Sequence, residues 1–242
     1  MNLTELIADR PVFHSIAPGI FMEMGVNDQV LEFINEHIDE TSTTLETGSG
    51  LSTVLFAIKA SHHTAITPEH GEIDRIKEYC REHDVSMGRV TFKVATSEYT
   101  LPSLESPPFD LVLIDGRHGF PAPFIDWFYT AGKLKIGGFL IVDDIPLWTC
   151  GVLRDFLMQE PEWRLVADFS PRSVVFMKMG EGSEWKDWSQ QKFVLEHGLL
   201  RLDKDGNVIS VDAEGRLKRV LGHLRRGEFL ILGRKVIRKI KG

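Results

Sequence analysis

Long apolar runs, export signals, paired cysteines and internal repeats are all missing from this 242-residue chain. Each absence removes a class of protein. No apolar stretch approaches the roughly 20 residues that cross a bilayer. The first residues, M-N-L-T-E-L-I-A-D-R-P, hold neither a basic n-region nor an apolar h-region, so a soluble, non-exported chain is expected. The only two cysteines, Cys80 and Cys150, lie far apart without metal-ligand or disulfide spacing. A reducing, cytoplasmic setting is the expectation that follows. At 43% hydrophobic and 26% charged, the composition fits one globular α/β domain with additions, able to bury a core without staples.

The net charge of -7 conceals an asymmetry, because residues 216–242 carry ten Lys or Arg against one acid, Glu228. A basic tail of this kind can make weak contact with a membrane surface or an acidic partner. The plainer expectation is a solvated helix face that balances an acidic body. No nucleic-acid partner is expected, and a homo-oligomer is compatible with the sequence.

What is present is concentrated in two stretches. F-D-L-V-L-I-D-G-R-H, 109–118, is an apolar run that stops at Asp115, Gly116, Arg117 and His118. G-G-F-L-I-V-D-D, 137–144, repeats the pattern and stops at Asp143 and Asp144. Short apolar runs bounded by turn residues read as strands buried on both faces of a parallel sheet, and ligands bind beyond the carboxyl ends of such strands. Three carboxylates and a histidine are therefore expected at one edge of one sheet.

The rest of the chain supports that sheet. Residues 1–26, with Pro11, Pro18 and Gly19, read as an irregular segment with at most one short helix. Asn27 then caps a helix of apolar Val30, Leu31, Phe33, Ile34 and Ile38. Strands are expected at Thr43–Glu46, His63–Thr67, Val90–Ala95, Leu111–Ile114 and Phe139–Val142, alternating with helices at Val54–Ala60, Glu72–Glu82, Ile125–Lys133 and Val152–Gln159. Arg164–Phe169 and Ser173–Met179 read as an antiparallel edge. The expected fold is a doubly wound, Rossmann-like, mostly parallel α/β sheet over 43–180, with an N-terminal segment, 1–42, and a C-terminal extension, 181–242. That extension reads as a helix at Ser189–Glu196, a hairpin turning near Asp205 and Gly206, and the basic tail.

After the first strand, T-G-S-G-L-S-T places Gly48 and Gly50 where a tight turn and close ligand approach are possible, with Ser52 or Thr53 to cap the next helix. A dinucleotide fingerprint would want a third glycine at 53, where threonine stands. The acid that would hold ribose hydroxyls after the second strand is replaced by Thr67, and Glu69 stands two residues further on. Converging carboxylates repel one another unless protons or a cation intervene. Asp115, Asp143 and Asp144 are hard oxygen donors suited to Mg²⁺, Ca²⁺ or Mn²⁺, and a histidine at 118 suits a general base.

These motifs resemble those of class I S-adenosyl-L-methionine-dependent methyltransferases. L-E-T-G-S-G-L-S-T, 45–53, is similar to the first motif of that family, and the two aspartate stretches are similar to its metal-dependent O-methyltransferase branch. Macrocin-type sugar O-methyltransferases are the nearest likeness, with catechol and caffeoyl-CoA enzymes further away. The likeness covers about 43–180. It implies a cofactor site of Glu46, Gly48, Ser49, Gly50, Ser52, Thr67, Glu69, Ser97 and Asp115, with Ser97 near the adenine. It also implies a divalent metal, Mg²⁺ by expectation, on Asp115, Asp143 and Asp144, and His118 with Asp115 in catalysis. Position alone places Arg117, Trp127 and Trp148 around the acceptor, a sugar, polyol or phenol hydroxyl. Metal-independent transfer and a non-catalytic cofactor-binding module are the alternatives.

Overall fold

A computed structural model describes residues 1–17, 19–22 and 25–210. The chain divides into two compact units, Met1–Trp185 and Lys186–Gly242. The first unit opens with α1 (Leu3–Asp9), an antiparallel hairpin of β1 (His14–Ala17) and β2 (Ile20–Met22), and α2 (Asp28–His37). Alternation then follows: β3 (Thr43–Thr47), α3 (Leu51–Lys59), β4 (His62–Ile66), α4 (His70–Glu82), β5 (Val90–Lys93) and the short α5 (Ser97–Thr100). The series continues with β6 (Phe109–Ile114), α6 (Ala122–Ala131), β7 (Leu134–Val142), α7 (Trp148–Leu157), β8 (Trp163–Phe169) and β9 (Ser173–Lys178).

Seven strands join in the order β5-β4-β3-β6-β7-β9-β8, and β9 alone runs against the others. The expected doubly wound sheet with an antiparallel edge is therefore present. Its central strands are apolar because helices cover both faces: Leu111, Val112, Leu113 and Ile114 of β6 are all buried. The order of strands reverses between β3 and β6, one half built toward β5 and the other toward β8. Such a switch point opens a crevice beyond the strand ends. Parallel register pairs Thr47 with Ile114 and Ile114 with Val142, so the loops after β3, β6 and β7 leave the sheet side by side.

Two expectations change in detail. The N-terminal segment holds the hairpin as well as a short helix, a feature without a period strong enough to read from three exposed residues, Ile20, Phe21 and Met22. The strand expected at Phe139–Val142 begins earlier, at Leu134, and residues 135–138 form an irregularity inside β7, where pairing jumps from Phe109↔Leu134 to Leu111↔Phe139. Gly137 takes φ +83° there, a conformation that glycine accepts without a Cβ penalty.

Lys178 shows how the antiparallel edge is tied down. Its fully buried ammonium donates to the carbonyls of Ala131 and Leu134, each at 2.8 Å, and also to Glu181. The end of α6 and the start of β7 are thus fastened to β9 by one satisfied charge. In the second unit, Trp188–Gln190 forms a 3-10 turn, α8 spans Lys192–His197, and β10 (Leu200–Leu202) pairs with β11 (Val208–Ser210). Asp203 Oδ1 accepts from the backbone N–H groups of Asp205 and Asn207, which closes the expected hairpin. The basic stretch 216–242 lies outside the described residues.

Candidate active site

The glycine loop is built around an internal carboxylate. Glu46, at the end of β3, is 1% exposed and accepts hydrogen bonds from Ser52 Oγ at 2.6 Å and from Thr53 Oγ1. His63 Nε2 lies 3.1 Å away, while its Nδ1 is 2.8 Å from Thr44 Oγ1 and its ring stacks on Phe56. Thr53 fills the place of a third glycine, and its hydroxyl also accepts the Gly50 N–H at 2.8 Å. A threonine there ties the loop to the first turn of α3. Gly48 has φ +97°, and a Cβ on it would lie 2.5 Å from the Asp115 carbonyl oxygen. No side chain fits, so the loops after β3 and β6 can touch only because this residue is glycine.

The carboxylate corner forms where β6 and β7 end. Asp115, His118 and Asp144 each bring one ligand atom to within 4.8 Å of the others. His118 Nε2 sits 3.8 Å from Asp115 Oδ1 and 3.4 Å from Asp144 Oδ2, with no hydrogen-bond partner among the described residues. Asp144 holds φ +51°, a left-handed conformation that aspartate tolerates better than most residues. Burial, with help from Asp143 and Asp144, pushes the Asp115 carboxyl up to about 7. The Asp115 carboxylate in turn raises the His118 pKa, outweighing the burial that works against it.

Asp143 behaves differently from its neighbour. The strand-end pattern groups it with Asp115 and Asp144 as a ligand, yet its carboxylate is fully buried, accepts from Ser173 Oγ and lies 3.3 Å from Arg172 Nε. The ligand atoms that gather belong to Asp115, His118 and Asp144. Arg172 Nε also reaches Asp144 Oδ1 at 3.4 Å, so one guanidinium from the turn between β8 and β9 serves both aspartates. Neither Arg172 nor its neighbour Ser173 carries a motif that sequence reasoning could find, since β9 meets β7 only through antiparallel pairing.

A cavity of about 460 Å³ joins the two regions. Of the expected cofactor residues, Gly48, Ser49, Thr67, Glu69, Ser97 and Asp115 line it, whereas Glu46, Gly50 and Ser52 do not. Glu46 and Ser52 are committed to each other behind the loop. Thr67 is buried, and its hydroxyl accepts the Glu69 N–H at 3.2 Å, which sets Glu69 at the start of α4 and on the cavity wall. Arg117 lines the cavity beside Glu98, 3.2 Å away. Neither of the two tryptophans expected near the acceptor lines this cavity. Trp127 is buried edge-on against Phe156, and Trp148 is 72% exposed beside Phe120.

Three groups near the cavity escape sequence reasoning. His14 of β1 and Glu72 of α4 line the wall, 2.7 Å apart, in segments that no sequence motif marks. Burial works to lower the His14 pKa, and Glu72 outweighs it, so the ring titrates above its ordinary value. Asp126 of α6 is fully buried, and that burial pushes it up to about 6 against the pull of the Ser97 and Thr47 hydroxyls.

The donor set fits a divalent cation. Two carboxylate oxygens and an imidazole nitrogen that makes no hydrogen bond among the described residues lie within 4.8 Å of one another on the cavity wall. The same corner also carries an internal cation in Arg172.

A seven-stranded sheet in this order, with a glycine loop after its central strand and acids after the next two, is the class I methyltransferase fold. Residues 45–145 match the family model described as a methyltransferase domain, from β3 to just beyond Asp144. Solved structures share the fold at low identity. The O-methyltransferase TomG of Streptomyces achromogenes, solved with S-adenosylmethionine, is 15% identical, with TM-score 0.52 over 65% of this chain and 83% of its own. The Podospora anserina methyltransferase PaMTH1, solved with S-adenosylhomocysteine, is 16% identical, with TM-score 0.54 over 74% and 88%. An rRNA methylase of Streptococcus thermophilus is 14% identical, with TM-score 0.51 over 63% and 96%. No curated protein sequence matches the chain. Residues 45–145 are thus similar to a methyltransferase domain, and the first unit shares its fold with solved methyltransferases. No helix among the described residues is long and apolar enough to cross a membrane.

Proposed function

We propose that the chain is an S-adenosyl-L-methionine-dependent O-methyltransferase that acts on a hydroxyl of a small molecule or sugar, with His118 as general base. One observation carries the reading. His118 Nε2 lies on the same cavity as the glycine loop, facing Asp144 at 3.4 Å and Asp115 at 3.8 Å, and makes no hydrogen bond among the described residues. An imidazole nitrogen held beside two carboxylates, which stabilise its protonated form, can take a proton from a hydroxyl.

The cofactor supplies a methyl group already activated on sulfonium, so the residues around it have to align the two reactants and keep water out. Gly48, Ser49 and Asp115 would form the floor beneath the sulfonium, and Glu69 and Ser97 would face the nucleoside. His118 would take the acceptor proton, while Asp115 and Asp144 hold the resulting imidazolium by charge. A divalent metal held by Asp115 and Asp144, with Mg²⁺ the choice for hard oxygen donors, would lower the pKa of the acceptor hydroxyl. The acceptor class, a sugar, polyol or phenol, rests on the motif resemblance to macrocin-type and catechol enzymes.

The placement of Arg172 favours a second reading. Its guanidinium already compensates Asp143 and Asp144, so the corner can be charge-balanced without an added ion, as a metal-independent enzyme requires. One experiment serves both readings. Release of S-adenosylhomocysteine is followed with a panel of sugars, polyols and phenols, with Mg²⁺ and with excess EDTA. Turnover of a panel member that His118→Ala abolishes supports the base, and full activity of that variant sinks it. Activity that survives EDTA moves the choice to the metal-independent reading.

A further inference from the structure

The hairpin β1–β2 lies outside the residues that match the methyltransferase domain, yet it supplies a wall of the cavity. A lone two-stranded hairpin is only marginally stable, so its position has to come from its contacts. Three are visible. Arg75 of α4 donates from Nε to the Phe13 carbonyl at 2.6 Å and lies over the Phe21 ring, 5.3 Å from its centroid. Phe13 packs edge-on against Tyr79 at 5.6 Å. His14 Nδ1 meets Glu72 Oε2 at 2.7 Å, and Ser49 of the glycine loop donates to the other oxygen of the same carboxylate.

This last group is a charged pair set into a cavity wall. Glu72 is almost wholly buried, and His14 is largely so. His14 Nε2 would be only 3.2 Å from a Cβ on Gly50, so the ring rests directly on the glycine loop. Asp115 lines the same cavity as His14. Both Glu72 oxygens are engaged, but a carboxylate has about four acceptor positions and retains capacity for a further donor.

We propose that His14 and Glu72 receive the zwitterionic amino-acid arm of the S-adenosyl cofactor, and that their pairing holds the hairpin as the cover of that end. The inference rests on S-adenosylmethionine being the cofactor. In that molecule the amino-acid arm leaves the same sulfur that carries the reactive methyl, so it lies close to the reacting centre. Glu72 suits the ammonium, and the His14 imidazolium suits the carboxylate. Both are charge-assisted contacts in a partly desolvated wall.

The test compares two ligands by calorimetry on the full chain. S-adenosylhomocysteine carries the amino-acid arm, and 5′-methylthioadenosine lacks it. Glu72→Gln and His14→Ala are each expected to weaken S-adenosylhomocysteine about tenfold or more, the scale of one charge-assisted hydrogen bond, and to leave 5′-methylthioadenosine within about twofold. Glu72→Gln keeps the shape and a hydrogen-bonding oxygen for Ser49, and thermal melting confirms that each variant is folded. Equal weakening of both ligands, or no weakening of either, overturns the assignment while leaving the cofactor reading intact. If the unaltered chain binds neither ligand, the cofactor reading fails and this inference falls with it.

Discussion

The carboxylate corner and the glycine-loop wall lie on one cavity but are assembled in different ways. At the corner, Asp115, His118 and Asp144 come from two adjacent parallel strands, and each follows its strand end within four residues. The wall draws His14 from an N-terminal hairpin, Ser49 from the loop after β3 and Glu72 from α4. The corner concentrates charge that raises its own pKa values, whereas the wall pairs opposite charges. One region is therefore suited to proton transfer, and the other to holding a ligand in place.

His118 carries the largest expected difference between the two regions. Replacing it with alanine is expected to lower turnover by about 10²–10⁴-fold, the usual contribution of a positioned base, while cofactor affinity stays within a few-fold. Comparable loss of affinity would erase the division of labour. Gly48→Ala attacks the seam between the regions. Its Cβ would strike the Asp115 carbonyl at a positive φ, with an expected cost of about 2–4 kcal/mol, visible as a melting temperature lower by roughly 5–15 °C.

Asp143 and Asp144 offer a finer contrast within the corner. Asp143→Asn leaves Arg172 and Ser173 facing a neutral group in a buried place, and is expected to cost about 2 kcal/mol in urea unfolding. Asp144→Asn should change stability by less than half as much and should abolish any Mg²⁺ binding seen by titration. A reversed order would show that Asp143, not Asp144, faces the reacting centre.

The smallest expected effect is on pH dependence. Asp126 is held up to about 6 and Asp115 up to about 7, both well above 3.8. Each takes up a proton on folding within its window. The stabilisation is full below pH about 4 and is lost as pH rises through about 6 for Asp126 and about 7 for Asp115. Stability should therefore fall between about pH 4 and 7. Asp126→Asn should flatten that fall and raise stability at about pH 8 by about 1–2 kcal/mol, measured as urea midpoints across pH. An unchanged slope would mean that Asp126 ionises freely in the folded chain.

Much of the fold and of the corner is legible in the chain alone, and the reasons are physical. Buried parallel strands must be apolar on both faces, so Leu111–Ile114 and Phe139–Val142 stand out, and the polar residues that stop them mark the site edge. Asn27 as the cap of α2 is readable for the same kind of local reason, since its side chain accepts the Val30 N–H. Thr53 is harder. It looks like a missing glycine and is instead the hinge between the Gly50 N–H and the Glu46 carboxylate.

The periodic features are written in the chain: which strands are buried, where they stop, and that acids and a histidine stand at those stops. These follow from short-range chemistry, because strand burial and turn formation depend on neighbours along the chain. Which of two adjacent aspartates opens on the cavity depends on packing, because Arg172 and Ser173 reach Asp143 through antiparallel pairing 29 and 30 residues away. Packing also decided that Glu46 is consumed inside the loop, and that His14 and Glu72, far apart in the chain, share one wall. Such long-range pairings leave no period in the chain, since each is made by packing rather than by spacing.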